Sequence, residues 1–76
     1  MEILEKVIEI VASTCEVEKS EVSGDSSVGD FPAWDSIGHL TILSTVEEEF
    51  NISFEPEEMM EFEDVNDIVK AIEAKL

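Results

Sequence analysis

Basic side chains are nearly missing from this sequence. Four lysines and no arginine stand against twenty aspartates and glutamates, for a formal net charge of -16. Such a chain repels nucleic acid and anionic lipid, which excludes both as principal partners. The same field attracts proteins with basic patches and speeds their encounter, although acidity also serves plain solubility. Cysteine is reduced to Cys15. That excludes an internal disulfide and a paired-thiol metal site, and leaves a buried structural thiol as the expected role. No apolar run approaches the roughly 20 residues that cross a bilayer. The start, Met1-Glu2-Ile3-Leu4-Glu5-Lys6, is amphipathic where a signal peptide would be continuously apolar. The expectation is a cytoplasmic monomer without membrane insertion or nucleic-acid binding.

Seventy-six residues, 43% of them hydrophobic, can close one small core. Residues 1–76 therefore read as one domain, without repeat or linker, and not as a disordered acidic tail. Residues 2 to 14 place Ile3, Leu4, Val7, Ile8, Ile10 and Val11 at helical spacing. Periodicity lapses over residues 15 to 35, where serines, glycines and Pro32 supply turn chemistry. Val17, Val22, Val28, Phe31 and Trp34 recur along that loop and are expected to pin it to the helices. A second helix is predicted from Ser36 to about Phe50, burying Leu40, Leu43, Val46, Phe50 and Ile42, with Asn51 ending it. Pro56 suits a first helical position, so a brief helix over 56 to 61 would send Met59, Met60 and Phe62 into the core. The last helix begins after Asp64, which with Asp67 resembles a capping box. Its stripe is Val65, Ile68, Val69, Ile72 and Leu76. No strand pattern of comparable length exists. The fold expected is all-α, a small four-helix bundle of three main helices and one short helix, with a long first loop.

Chemistry concentrates in Trp34-Asp35-Ser36-Ile37-Gly38-His39-Leu40, which sets a hydroxyl at a helix start directly after a carboxylate. Helix N-termini offer unpaired N–H groups and partial positive charge to a phosphate. Asp35 could help hold a divalent cation beside the phosphates of an incoming donor. The plainer reading makes Ser36 only a helix cap. His39, three residues on, raises a nucleophile and base pair, but a small hydrolase would also need an oxyanion site and a pocket that the sequence does not announce. Asp25-Ser26-Ser27-Val28-Gly29-Asp30 fails as a calcium loop, because Asp30 stands where glycine is required and Ser36 where glutamate is. Asn51-Ile52-Ser53 matches a glycosylation acceptor but lacks a secretory context.

Asp35-Ser36-Ile37 closely resembles the Asp-Ser-Leu motif of acyl carrier proteins, and Val46-Glu47-Glu48-Glu49-Phe50-Asn51-Ile52 resembles the acidic second helix of that family. The resemblance runs through the first helix, the long loop, the Pro56 to Phe62 helix and the last helix opened by Asp64-Val65. It implies that a phosphopantetheinyl transferase attaches 4'-phosphopantetheine from coenzyme A to Ser36, with Asp35 in support, leaving a thiol that forms thioesters. The protein would catalyse nothing itself. Acyl-loading and acyl-transfer enzymes with basic patches would dock on the second helix, through Asp35, Ile37, Thr41, Glu47 and Glu48. Two departures stand out. The helix middle, Thr41-Ile42-Leu43-Ser44-Thr45, is less acidic than in fatty-acid carriers, and Trp34 with Gly38-His39-Leu40 resembles carriers of specialised pathways. The Gly-Gly-x-Ser pattern of peptidyl carriers is absent. Fatty acyl, aminoacyl, hydroxyacyl and polyketide cargo all fit a thioester. Ile42, Val46, Phe54, Met59 and Ile68 are candidates to part around a chain, though plain core is the simpler reading. The alternative from another class is a non-covalent acidic adaptor that binds basic protein surfaces.

Overall fold

The computed structural model describes residues 3–76; Met1 and Glu2, including the first residue of the expected first helix, lie outside the described residues. Four α-helices follow in order: α1 Ile3–Cys15, α2 Ser36–Phe50, α3 Pro56–Glu61 and α4 Val65–Lys75, with a short 3-10 turn at Lys19–Glu21. Among the described residues there is no strand, and no helix is long and apolar enough to cross a membrane.

The helix ends are set by local devices in the backbone and the side chains. After α1, Glu16 takes the left-handed conformation (φ 58°), and the N–H of Val17 reaches back to the carbonyl of Ala12 at 3.0 Å. Asn51 repeats the device after α2, with φ 55° and the N–H of Ile52 donating to the Glu47 carbonyl at 3.0 Å. Asparagine tolerates that conformation better than other side chains, so the expected terminator is the observed one. Pro56 occupies the first turn of α3. The Glu55 N–H donates to Glu58 Oε1 at 2.8 Å, and that bond, with Lys75 beside it, holds the Glu58 carboxyl below the usual carboxylate range. At α4 the Asp64 Oδ1 accepts from the Asp67 N–H at 2.9 Å, while Asp67 Oδ2 reaches one residue further back than a capping box requires, to the N–H of Glu63 at 3.0 Å.

The core lies where α1 packs against α2 and α4. Val7 and Val11 from α1, Ile42, Leu43 and Val46 from α2, and Val65, Ile68 and Ile72 from α4 are fully buried, together with Trp34 from the loop. Cys15 is buried as expected, and burial pushes its thiol up. Lys6 of α1 pairs with Glu49 of α2 at 2.6 Å, and Lys75 of α4 with Glu58 of α3 at 3.1 Å.

Five expected core residues are on the surface instead, Leu4 of α1 by the narrowest margin. Leu40 is 55% exposed, because the buried face of α2 is centred on Ile42, Leu43 and Val46, and at about 100° per residue Leu40 falls well off that centre. Met60 is 86% exposed, while its neighbour Met59 packs against the core. Leu76, at the end of α4, and Val28, in the loop, also face outward. The loop is held by four of its five apolar anchors and also by its backbone. Val22 and Trp34 are buried, and Val17 and Phe31 half-buried. A short ladder then ties it to the α3–α4 junction: Val28 N–H to the Glu63 carbonyl at 2.9 Å, Val65 N–H to that of Ser26 at 3.0 Å, and Asn66 N–H to that of Gly24 at 3.0 Å. Buried Ser26 also accepts from the Ser23 N–H through its hydroxyl.

Candidate functional site

The chain enters α2 through a tight turn. The Trp34 N–H donates to the Phe31 carbonyl at 2.9 Å, the Trp34 carbonyl accepts from Gly29, and the indole is sunk completely in the core. Asp35 follows in an extended conformation and caps α2, its Oδ1 accepting from the Gly38 N–H at 2.9 Å. The cap is therefore Asp35 and not Ser36. Ser36 becomes the first residue of the helix, exposed, with its hydroxyl released from the structural task that serine most often performs there.

Gly38 is required by this turn. A Cβ built on it would lie 1.9 Å from the carbonyl oxygen of Ala33. Alanine in place of glycine inside an ordinary helix gains about 1 kcal/mol, but here the obstacle is backbone belonging to the turn that carries Trp34. Gly38→Ala is expected to lose about 1–3 kcal/mol of stability net, as overpacking does, read as a lowered midpoint in urea unfolding.

Both ring nitrogens of His39 have partners other than Ser36. Its Nδ1 accepts from the Trp34 indole N–H at 3.1 Å, and its Nε2 lies 3.3 Å from the Met59 carbonyl. The indole can only donate and the carbonyl only accept, so the ring is neutral with its proton on Nε2. The two rings stack with centroids 6.3 Å apart. With both nitrogens engaged, His39 has no lone pair to offer the Ser36 hydroxyl, which removes the nucleophile and base pair that their spacing suggested.

The expected docking residues divide. Ile37, 76% exposed, shares the outward face of α2 with Thr41 and Glu48. Thr41 donates its hydroxyl to the Ile37 carbonyl at 3.1 Å. Glu47 is half-buried at the edge of that face and has a structural partner as well. Its side chain reaches the α2–α3 connection, where Oε2 accepts from the Phe54 N–H at 2.7 Å and helps hold that connection. Asp35 is exposed beside Ser36, with one carboxylate oxygen spent on the cap.

Beside Ser36 opens a groove of about 620 Å³. The loop contributes Ser27 and Val28, α2 contributes His39 and Leu40, and α3 with the residues after it contributes Pro56, Met59, Met60, Phe62 and Glu63. Of the five residues considered for sheltering a chain, Met59 alone lines it; Ile42, Val46 and Ile68 are fully buried core, and Phe54 nearly so. The surface residues Leu40, Met60 and Val28 are thus groove residues. Apolar side chains that fall outside a helix's buried stripe were the signal for them. An exposed hydroxyl at a positive helix end, beside an apolar groove, fits a phosphodiester-linked arm with a greasy load.

Comparison with known proteins bears on the same residues. The family model described as the phosphopantetheine attachment site matches residues 5–72. The chain is 32% identical over 75 residues to an acyl carrier protein of Porphyromonas gingivalis, covering 99% of this chain and 96% of that one. It is 38% identical over 74 residues to an acyl carrier protein of Prochlorococcus marinus (97% and 92%), and 33% identical over 75 residues to one of Petrotoga mobilis (99% and 88%). The chain belongs to the acyl carrier protein family. The family's cofactor is phosphopantetheine, and the matched span contains Ser36, the helix cap Asp35 and every residue that lines the groove.

Proposed function

We propose that residues 1–76 form one carrier domain that holds acyl groups as thioesters on a 4'-phosphopantetheine arm at Ser36 and delivers them to biosynthetic enzymes in the cytoplasm. The observation that carries this reading is the division of labour at the start of α2: Asp35 caps the helix, leaving the Ser36 hydroxyl exposed at its positive end. In the loading step the Ser36 Oγ forms a bond to the pantetheine-side phosphorus of coenzyme A. The pyrophosphate bond breaks, adenosine 3',5'-bisphosphate leaves, and the serine proton passes to the transferase or solvent. The arm, once bound, supplies the thiol that carries cargo. The chain's own residues then orient and recognise. The helix N-terminus favours the phosphodiester charge, Asp35 keeps the first turn in place, and the groove gives apolar cargo a surface to lie on. Ile37, Thr41 and Glu48 present a face with an apolar centre and acidic surroundings, which suits enzymes with a basic rim. On this reading the protein is not an enzyme, since the one histidine near the serine is fully engaged with Trp34 and Met59.

The test is the intact mass of the protein before and after incubation with coenzyme A, magnesium and a permissive phosphopantetheinyl transferase. A gain of one phosphopantetheine is expected. No gain beside a control carrier that does load would leave the non-covalent adaptor as the better reading.

A further inference from the structure

The groove beside Ser36 is walled by the loop, α2 and α3, and these walls are not equally secure. The loop is held by its backbone ladder, and α2 by Ile42, Leu43 and Val46 in the core. By contrast, α3 has six residues and none of them is buried. Its apolar hold is partial, with Met59 and Phe62 packed against the core and Phe54 meeting Phe62 edge to face at 5.2 Å; segments with few buried apolar contacts open most readily, so polar contacts carry much of the rest. Lys75 reaches Glu58 from α4, and Glu47 holds the backbone of Phe54 just ahead of the helix. The third contact comes from His39, and it differs from the others because the same side chain also grips the loop. One ring, rooted in α2, accepts from the indole of Trp34 and donates to the carbonyl of Met59 in the middle of α3.

Resting on the attachment reading above, we propose that His39 is a positioning residue: its two ring nitrogens clip the Trp34 turn and α3 to α2. The clip sets the pose in which Ser36 is presented and the width of the groove beside it. The ring itself lines that groove, one turn of helix from Ser36. Trp34 lies two residues before Ser36, in the turn whose backbone packs against Gly38, so losing the indole's hydrogen bond loosens the entry into α2. Releasing Met59 frees the opposite wall. Alanine at 39 does both. Asparagine carries an amide oxygen near the place of Nδ1 and can still accept from the indole, whereas glutamine carries an amide nitrogen near the place of Nε2 and can still donate to Met59.

These substitutions make the clip testable in the full chain, with Trp34 as the only tryptophan to report on it. His39→Ala is expected to shift Trp34 emission, to speed amide hydrogen exchange over residues 56–61, and to lower kcat/KM for loading by a transferase about tenfold, the loss of roughly one hydrogen bond's worth of positioning. Prolonged incubation should still bring it to full mass gain. His39→Asn should restore the emission, and His39→Gln should restore slow exchange in α3 and part of the loading rate. Both serve if the alanine variant folds poorly. Wild-type emission, exchange and loading rate in His39→Ala would overturn the clip. Failure of the wild type to gain mass would instead sink the attachment reading. The emission and exchange of the variants would then still decide the clip, unchanged values overturning it and the paired rescues upholding it.

Discussion

Ser36→Ala is expected to abolish all gain of mass from coenzyme A and a transferase while leaving helix content and the unfolding midpoint within about 0.5 kcal/mol of wild type, as surface substitutions do. The separation of the two effects is what makes the variant informative. Ser36 is exposed, and the bond that caps α2 is made by the Asp35 carboxylate to the Gly38 N–H, so removing the serine oxygen orphans no helix donor. Alanine also suits a helix interior better than serine. Had Ser36 been the cap, the same change would cost about 1 kcal/mol, and lost loading could be blamed on a frayed helix. Intact mass and far-UV circular dichroism on one sample read both quantities. Any mass gain retained by Ser36→Ala would refute Ser36 as the attachment point and turn attention to Ser27, the other serine lining the groove.

Much of this arrangement is legible in the sequence because it is written in local chemistry. Asp64 announces a helix end through a bond made three residues on, Pro56 through its fixed backbone angle and Asn51 through its tolerance of the left-handed conformation, and all stand where expected. The Asp35-Ser36 pair is equally local. What does not read through is decided by which side of an element faces a neighbour. Leu40 and Met60 are as apolar as any core residue, and only the choice of which face α2 and α3 turn to the core puts them at the groove. Glu47 looks like part of an acidic docking face until the chain after α2 folds back and brings the Phe54 N–H to its carboxylate. His39 is ambiguous for the same reason: its spacing to Ser36 is local, but its partners are an indole fixed by the core and a carbonyl twenty residues away. The ladder between the loop and the α3–α4 junction is backbone to backbone, and side-chain patterns carry no record of it.

Trp34→Ala is expected to have the largest effect on stability. The indole is completely buried where the loop meets the core, and truncating a buried aromatic to alanine costs about 3–5 kcal/mol. A domain of 76 residues has a total stability on the order of 4–11 kcal/mol, and a net charge of -16 adds self-repulsion that pulls it toward the low end. The variant should therefore be largely unfolded or close to it at 25 °C in low salt, with the helical circular dichroism signal reduced. It should recover in part in 1 M sodium chloride, where the Debye length is about 3 Å and repulsion is screened. Trp34→Phe separates the two contributions of the indole. It keeps most of the apolar volume and removes the N–H, leaving His39 Nδ1 without its donor. The expected loss is about 1–3 kcal/mol, the cost of an unpaired polar group in a partly buried site. Urea unfolding followed by circular dichroism measures both. If Trp34→Phe proves as damaging as Trp34→Ala, the hydrogen bond to His39 and not the packing governs the turn. If Trp34→Phe is neutral, the indole acts by volume alone, and Trp34 gives His39 nothing to hold.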